Sequence, residues 1–302
     1  MSATTVKIGK TKVNLSNLEK VLYPKVGFTK GEVIEYYVKM ASIVVPHVKN
    51  RPLTLKRYPN GVEGMHFYEK RCPPHAPPWI KKVTVASGRE EGKLTYCVID
   101  NSASLAWVAN LASLELHTLL FTGDDLYRPT WMVFDLDPGP PATVLDCIPI
   151  AFKMRDMLAK LGLESFIKVS GSKGLHMWVP LNRKEITFDQ TKSFSHAIAQ
   201  IMEREDPEHV VSVMKKELRK GKIFIDWSQN DEHKTTVAVY SLRAKEEPTV
   251  STPVEWDELA AAAKKKDASK LRFLPEDVIK RIDKKGDLFE GVLKLKQKLP
   301  AI

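Results

Sequence analysis

The chain has 302 residues with 47 Lys+Arg against 37 Asp+Glu, a formal net charge of +10, so it can bury a sizeable core without staples and its basic balance points to a polyanionic partner such as nucleic acid. No apolar run approaches the ~20 residues that span a bilayer, and the start Met1-Ser2-Ala3-Thr4 lacks a signal-peptide pattern, which excludes the obvious membrane and export readings. Cys72, Cys97 and Cys147 form no C-x-x-C pair and leave an odd count, which indicates neither a zinc site nor a disulfide framework and fits a reducing cytoplasm.

In chain order, Ser16-x-x-Glu19 and Thr29-x-x-Glu32 are capping-box patterns. The first predicts a short helical turn, the second a longer helix with Val33, Tyr36, Tyr37, Met40 and Val44 on its apolar side. Lys20 and Lys30 flank the tight connection Tyr23-Pro24-Lys25-Val26-Gly27, where two ammonium groups could face one anion or simply stay solvated. Pro52 to Tyr58 alternates as a strand, and Pro59-Asn60-Gly61 turns it back toward His66-Phe67-Tyr68-Glu69-Lys70. Lys56, Arg57 and Lys70 beside Phe67 and Tyr68 are the mixture a single-strand nucleic-acid platform uses, and equally what core rings flanked by surface charge look like. A strand near Leu94 to Ile99 precedes a helix expected from about Ser102 to His117, with His117 at its C-terminal end.

The most informative stretch is Trp131-Met132-Val133-Phe134-Asp135-Leu136-Asp137-Pro138, which reads as a buried strand ending in two acids. Side chains i and i+2 share a strand face, so Asp135 and Asp137 point one way while Leu136 packs on the other side. Two carboxylates so close raise the pKa of one of them unless a cation joins them. Oxygen ligands of this kind suit Mg²⁺ or Mn²⁺; hydrated acids at an exposed strand end are the bland alternative. A helix with Val144, Ile148, Ala151, Met154 and Leu158 on one side follows, stopped by Gly162. Then come a strand from Glu164 to Ser170, the turn Gly171-Ser172-Lys173-Gly174, a strand from Leu175 to Leu181 and a helix over about Thr187 to Arg204. Gly221 to Trp227 reads as a strand carrying Asp226, with Thr235 to Ser241 as its neighbour, and the Ala- and Lys-rich remainder as a helical tail. This order predicts an α+β fold with a mostly antiparallel sheet backed by helices.

Three acids on two strands, with a Ser/Gly/Lys/His turn between them in sequence, describe a two-metal phosphoryl-transfer site. Metal ions about 4 Å apart need shared carboxylates, which Asp135 and Asp137 can supply while Asp226 completes the coordination of one ion. The turn Ser170-Gly171-Ser172-Lys173-Gly174-Leu175-His176 offers N–H groups, a hydroxyl, an ammonium and an imidazole to triphosphate oxygens, without the Walker spacing.

Phe-Asp-Leu-Asp-Pro at 134–138, Ser-Gly-Ser-Lys-Gly-Leu-His at 170–176, Phe-Ile-Asp-Trp-Ser-Gln-Asn at 224–230 and Tyr-Ser-Leu-Arg at 240–243 resemble the archaeo-eukaryotic primase-type polymerases, and within them the polymerase domain of bacterial ligase D. Lys20-Val-Leu-Tyr-Pro, Arg51-Pro, Lys56-Arg-Tyr-Pro-Asn-Gly and Phe67-Tyr-Glu-Lys also fit that domain, so the resemblance runs to about residue 260. It implies a primase-polymerase fold, with mostly antiparallel central sheets that carry the acids and helices at their flanks. One domain over 1–302 is expected, with a DNA-end-binding part over 1–129, a catalytic RRM-like part over 130–250 and the helical tail over 251–302.

The resemblance assigns Asp135, Asp137 and Asp226 to two Mn²⁺ or Mg²⁺ ions. It assigns Lys56, His117, Ser170, Ser172, Lys173, Gly174, His176 and Arg243 to an NTP or dNTP. Phe67 and Tyr68 fall to stacking on template bases, Arg57 to the DNA, Lys20 and Lys30 to a downstream 5′-phosphate, and Arg219 to a mobile loop that arranges the DNA end. The implied activity is templated nucleotide addition at DNA double-strand breaks; the alternatives are a replicative primase and a catalytically silent end-binding module. Nothing matches the ligase pattern Lys-x-Asp-Gly, so a separate ATP-dependent ligase and a Ku-like end-binding protein are the expected partners, in the cytoplasm at the nucleoid.

Overall fold

A computed structural model describes residues 3–86 and 92–300; Met1, Ser2, residues 87–91 and residues 301–302 lie outside it. The chain divides into two compact units, one of Met1–Leu126, Thr235–Val250 and Leu274–Lys284, the other of Tyr127–Lys234, Ser251–Phe273 and Lys285–Ile302. Among the described residues no helix is long and apolar enough to cross a membrane.

The first unit opens with a hairpin, Ala3–Ile8 against Thr11–Ser16, in which Val13 and Leu15 are buried while Lys12 and Asn14 point out. That period of two overrides the capping pattern at Ser16, which ends a strand and starts no helix. The box at Thr29 does form. Glu32 N donates to Thr29 Oγ1 and Thr29 N to Glu32 Oε2, opening helix Lys30–Lys39 with Val33, Tyr36 and Tyr37 buried.

The six-stranded sheet of this unit runs Thr236–Val237, Ser113–Thr118, Leu53–Arg57, Lys93–Cys97, Lys82–Ala86, with Phe67–Glu69 also paired to Leu53–Arg57. Two expectations change here. The helix from Ser102 ends at Asn110, and after Ala112 turns with φ 55° the chain continues as strand Ser113–Thr118, because Leu114 and Leu116 alternate with Glu115 and His117. His117 therefore sits on a strand and not at a helix C-terminus. Thr236–Val237 pairs with that strand, Val237 opposite His117, and not beside Asp226. A third correction concerns the cysteines. Cys72 and Cys97 form a disulfide, brought together as Cys72 N donates to Thr95 O at 2.7 Å, while Cys147 is free and buried.

The second unit carries a five-stranded sheet in the order Phe166–Val169, Leu175–Pro180, Trp131–Pro138, Ile223–Asp226, Val210–Val211. All pairings are antiparallel except the last, which is parallel. Alternation sorts its faces. Met132, Phe134, Leu136, Ile167, Val169, Leu175, Met177, Ile223 and Ile225 join one buried cluster with residues of the helices Val144–Lys160 and Phe188–Glu205. Leu259 and Ala262 of helix Trp256–Lys265 enter the same cluster, while Lys264, Lys265 and Lys266 stay exposed. The opposite face must then carry Asp135, Asp137, Lys168, His176, Phe224 and Asp226.

Candidate functional site

Register, not sequence proximity, brings the acids of the second unit together. On strand Trp131–Pro138, Asp135 lies directly opposite Asp226 on one neighbour and opposite His176 on the other. Directly opposed residues share a face and stand about 5 Å apart, so Asp135, Asp137 and Asp226 form one acidic patch. Burial, then the charge of Asp135, pushes the Asp137 carboxyl up; Lys173 and Arg219 work against that, and Asp226 adds to it. His176, itself buried, places Nε2 3.3 Å from Asp135 Oδ1.

Asp226 caps the turn Trp227–Gln229. Its Oδ1 accepts from Ser228 N at 3.0 Å and its Oδ2 from Gln229 Nε2 at 2.8 Å. Arg219 Nη1 stands 3.9 Å from Asp137 Oδ2. With Asp226 and Asp137 so turned, no three His, Cys, Asp or Glu side chains among the described residues already stand in metal-ligating geometry. The donor chemistry nonetheless fits a divalent ion: three carboxylate groups crowd one sheet face, and one is already pushed toward its neutral form by burial and by its acidic neighbours.

Two glycines hold the neighbouring loops against this strand. A Cβ at Gly174 would lie 1.9 Å from Leu136 O, and one at Gly139 1.8 Å from Arg219 O, so both close approaches require glycine. The first seats the turn Ser170–Gly174 beside the acids. There Ser170 Oγ accepts from Ser172 N and Gly174 N, both at 3.2 Å, leaving Ser172 and Lys173 exposed. The second seats Arg219, whose guanidinium stacks 3.7 Å over the Phe224 ring and donates through Nη2 to Met214 O at 2.6 Å. Lys215, Lys216 and Lys220 around it are exposed.

The first unit holds a different constellation. Glu115, 1% exposed, meets Lys56 Nζ at 3.3 Å, His117 Nε2 at 2.8 Å, Arg243 Nε at 3.3 Å and the backbone N–H of Ala244 at 3.1 Å. Burial alone would raise its carboxyl, but the His117 hydrogen bond and the charges of Arg243 and Lys56 hold it well below the usual range. Burial lowers His117, so a neutral ring donates Nε2–H to Glu115. Sequence reasoning named the three bases and missed the acid that holds them. The strand alternation of 113–118 was the available signal.

Lys30 is also in this unit and only 6% exposed. Its Nζ donates to Ser16 O at 2.6 Å, and burial, with help from Lys20 and Arg57, lowers it to about 8. It lines a cavity of about 550 Å³ with Lys12, Asn14 and Arg57, whereas Lys20 donates to Asn60 Oδ1 at 2.9 Å. Phe67 pairs with Arg57 and Tyr68 with Lys56, so the two exposed rings face opposite sides of the sheet. The Arg57 guanidinium lies 5.3 Å from the Phe67 ring centre, and Lys56 Nζ 5.5 Å from that of Tyr68.

A family model described as "LigD, primase-polymerase domain" matches residues 29–289. The multifunctional non-homologous end joining protein LigD of Mycolicibacterium smegmatis is 42% identical over 279 residues, which cover 92% of this chain and 35% of that protein. The bifunctional non-homologous end joining protein LigD of Bacillus subtilis is 29% identical over 275 residues, 91% of this chain and 43% of that protein. The chain thus spans well under half the length of these relatives. The polymerase domain from Mycobacterium tuberculosis ligase D, solved in complex with DNA, is similar with a TM-score of 0.86 and 38% identity over 94% of this chain and 99% of that domain. With a family model matched across most of the chain and the acidic strand, Ser-Gly turn and basic residues in their expected order, the chain belongs to the LigD primase-polymerase domain family.

Proposed function

We propose that this chain is a templated, metal-dependent nucleotidyltransferase that fills gaps and extends 3′ ends at DNA double-strand breaks, recognising a downstream 5′-phosphate. The observation that carries the reading is the register that sets Asp226 opposite Asp135 with Asp137 on the same face. Asp135, Asp137 and Asp226 would hold the divalent ions, which neutralise a triphosphate and acidify a primer 3′-hydroxyl. Lys173, exposed at the tip of its turn, and the Ser170–Gly174 backbone bind phosphate oxygens. In the first unit, Lys56 and Arg243 are held as cations by Glu115 and are assigned to the anionic nucleotide. Lys30 and Lys20 are assigned to the 5′-phosphate, with the helix that begins at Lys30 adding its positive end.

The end-joining names of the relatives favour this reading over a primase that starts chains de novo. A ligase activity and a Ku-like end-binding protein are the partners the reading requires. The test is single-nucleotide addition on gapped DNA with Mn²⁺ or Mg²⁺, with and without the downstream 5′-phosphate. Faster addition on the phosphorylated gap is expected; primer synthesis on an unprimed template, with no response to the phosphate, would overturn it.

A further inference from the structure

Lys168 is 0% exposed, in the middle of strand Phe166–Val169 on the sheet face that also carries the acids. A methionine or leucine would fill that volume without the penalty of taking an ammonium out of water, so packing alone gives no reason for a lysine. Its contacts do. Lys168 pairs across the sheet with His176, which pairs in turn with Asp135, so the three side chains form a row over three adjacent strands. Lys168 Nζ stands 3.2 Å from His176 Nδ1 and donates to Ser251 Oγ at 2.6 Å. Ser251 sends its own proton to Val169 O at 3.3 Å, which leaves its oxygen to accept from the lysine and fixes Nζ in place. At the far side of the ring, His176 Nε2 lies 3.3 Å from Asp135 Oδ1.

An ionised carboxylate has acceptors and no donor, so the contact of Asp135 Oδ1 with Nε2 puts the imidazole proton on Nε2, aimed at Asp135. Nδ1 of the neutral ring then keeps a lone pair, which a Lys168 N–H meets at 3.2 Å. We propose that Lys168 is a positioning residue for nucleotidyl transfer: it holds His176 in the Nε2–H tautomer and in one ring orientation, so that Asp135 and the incoming phosphates meet a donor there and never a competing base. The carboxylate–imidazole pairs that orient metal ligands elsewhere follow the same logic with a donor in place of the acceptor. The proposal rests on the polymerase reading, because that reading gives the His176 donor its task.

The test pairs a spectrum with a double-mutant cycle. In the metal-free protein with ¹⁵N-labelled histidine, long-range ¹H–¹⁵N spectra, assigned against His176→Gln, are expected to show the Nε2–H form. In Lys168→Met that form should give way to a mixture or to Nδ1–H. On gapped DNA, Lys168→Met should lose at least tenfold in kcat with KM for the DNA end within about twofold. Lys168→Met in a His176→Ala background should cost nothing further, since the lysine acts through the ring. Lys168→Gln, whose amide can donate to Nδ1, should restore the tautomer and most of the rate, and it stands in should the methionine variant not fold. An unchanged His176 tautomer in Lys168→Met, or losses from Lys168→Met and His176→Ala that multiply, would overturn the proposal. Should the parent protein add no nucleotide at all, the polymerase reading falls, while the tautomer spectra, which need no turnover, still decide the role of Lys168.

Discussion

In the first unit one buried carboxylate, Glu115, meets Lys56, His117, Arg243 and a backbone N–H, while in the second unit Asp135, Asp137 and Asp226 crowd a single sheet face. Both clusters sit on antiparallel strands and are ordered by cross-strand register, yet their charge states differ. Around Glu115 the surplus is positive and the carboxylate is driven further into its ionised form. Around Asp137 burial, and then the negative charge of Asp135 and Asp226, push the carboxyl toward its neutral form, despite Lys173 and Arg219 nearby. A cluster compensated from within holds its members in a fixed geometry without an ion from outside. A cluster left uncompensated asks for cations from outside, and only such a cluster can gain from binding them.

The sharpest way to break the comparison is to remove one acid from each cluster. Asp137→Ala should abolish nucleotide addition, by roughly a thousandfold or more, because it removes charge that the chemistry needs. Binding of a DNA end and thermal stability should hold, since the lost carboxylate is half-exposed and repelled by its neighbours. Retained extension, measured in single turnover on gapped DNA, would refute the metal-site assignment. Glu115→Gln should do the reverse, leaving partly buried cations without their counter-charge and lowering stability by about 1–3 kcal/mol. The sign with pH follows from its depressed carboxyl. The unfolded chain holds a proton on Glu115 up to pH ~4.3, so the stabilisation is complete above that pH and is lost as pH falls toward the folded-state value. Urea unfolding from pH 3 to 7 should show a steeper acid loss in the parent protein than in Glu115→Gln.

A third cation separates the two kinds of cluster by titration. Lys30 is lowered to about 8 by burial, so folding carries a penalty while it is protonated; the penalty is complete below pH 8 and disappears as pH rises toward 10.5. A bound 5′-phosphate reverses the balance by favouring the ammonium. Preference for a phosphorylated over an unphosphorylated gap should therefore fall several-fold between about pH 8 and 9.5, and Lys30→Arg, always charged, should remove that fall. An unchanged profile in Lys30→Arg would mean that the phosphate is held elsewhere.

Much of this was legible in the sequence because it depends on period. Trp131–Pro138 shows its buried and acidic faces by alternation, the helix Lys30–Lys39 is announced by a capping box and an apolar stripe, and the helix Val144–Lys160 by its apolar stripe. What was not legible depends on pairing across distance. Nothing local says that Asp226 lies opposite Asp135, or that Cys72 meets Cys97; the resemblance supplied the first and nothing supplied the second. Glu115 was lost because an apolar-rich run continues from the helix at Ser102 straight into a strand, with no glycine or proline at Ala112 to mark the break. Lys168 was lost for another reason. A lone lysine on a short strand looks solvated until its neighbours are known, and its partners His176 and Ser251 come from elsewhere in the chain.

The smallest expected effect tests how finely the two faces of the first unit's sheet are divided. Phe67 and Tyr68 are adjacent in sequence and both exposed, a pair that invites treatment as one stacking platform. Register separates them: Tyr68 shares its face with Lys56, and its ring centre lies 6.1 Å from that of His117, while Phe67 shares the other face with Arg57, which lines the Lys30 cavity. A cation over an exposed ring contributes about 0.5–1 kcal/mol, so each alanine substitution should change binding only a few-fold. The kind of change should differ. Tyr68→Ala should raise KM for the incoming nucleotide and leave the response to a 5′-phosphate alone; Phe67→Ala should weaken that response and leave the nucleotide KM within error. The double variant should show the product of the two effects, as independent sites do. If both single variants instead move the same parameter, or the double variant loses far more than the product, the rings act on one ligand and the division of faces does not extend to function.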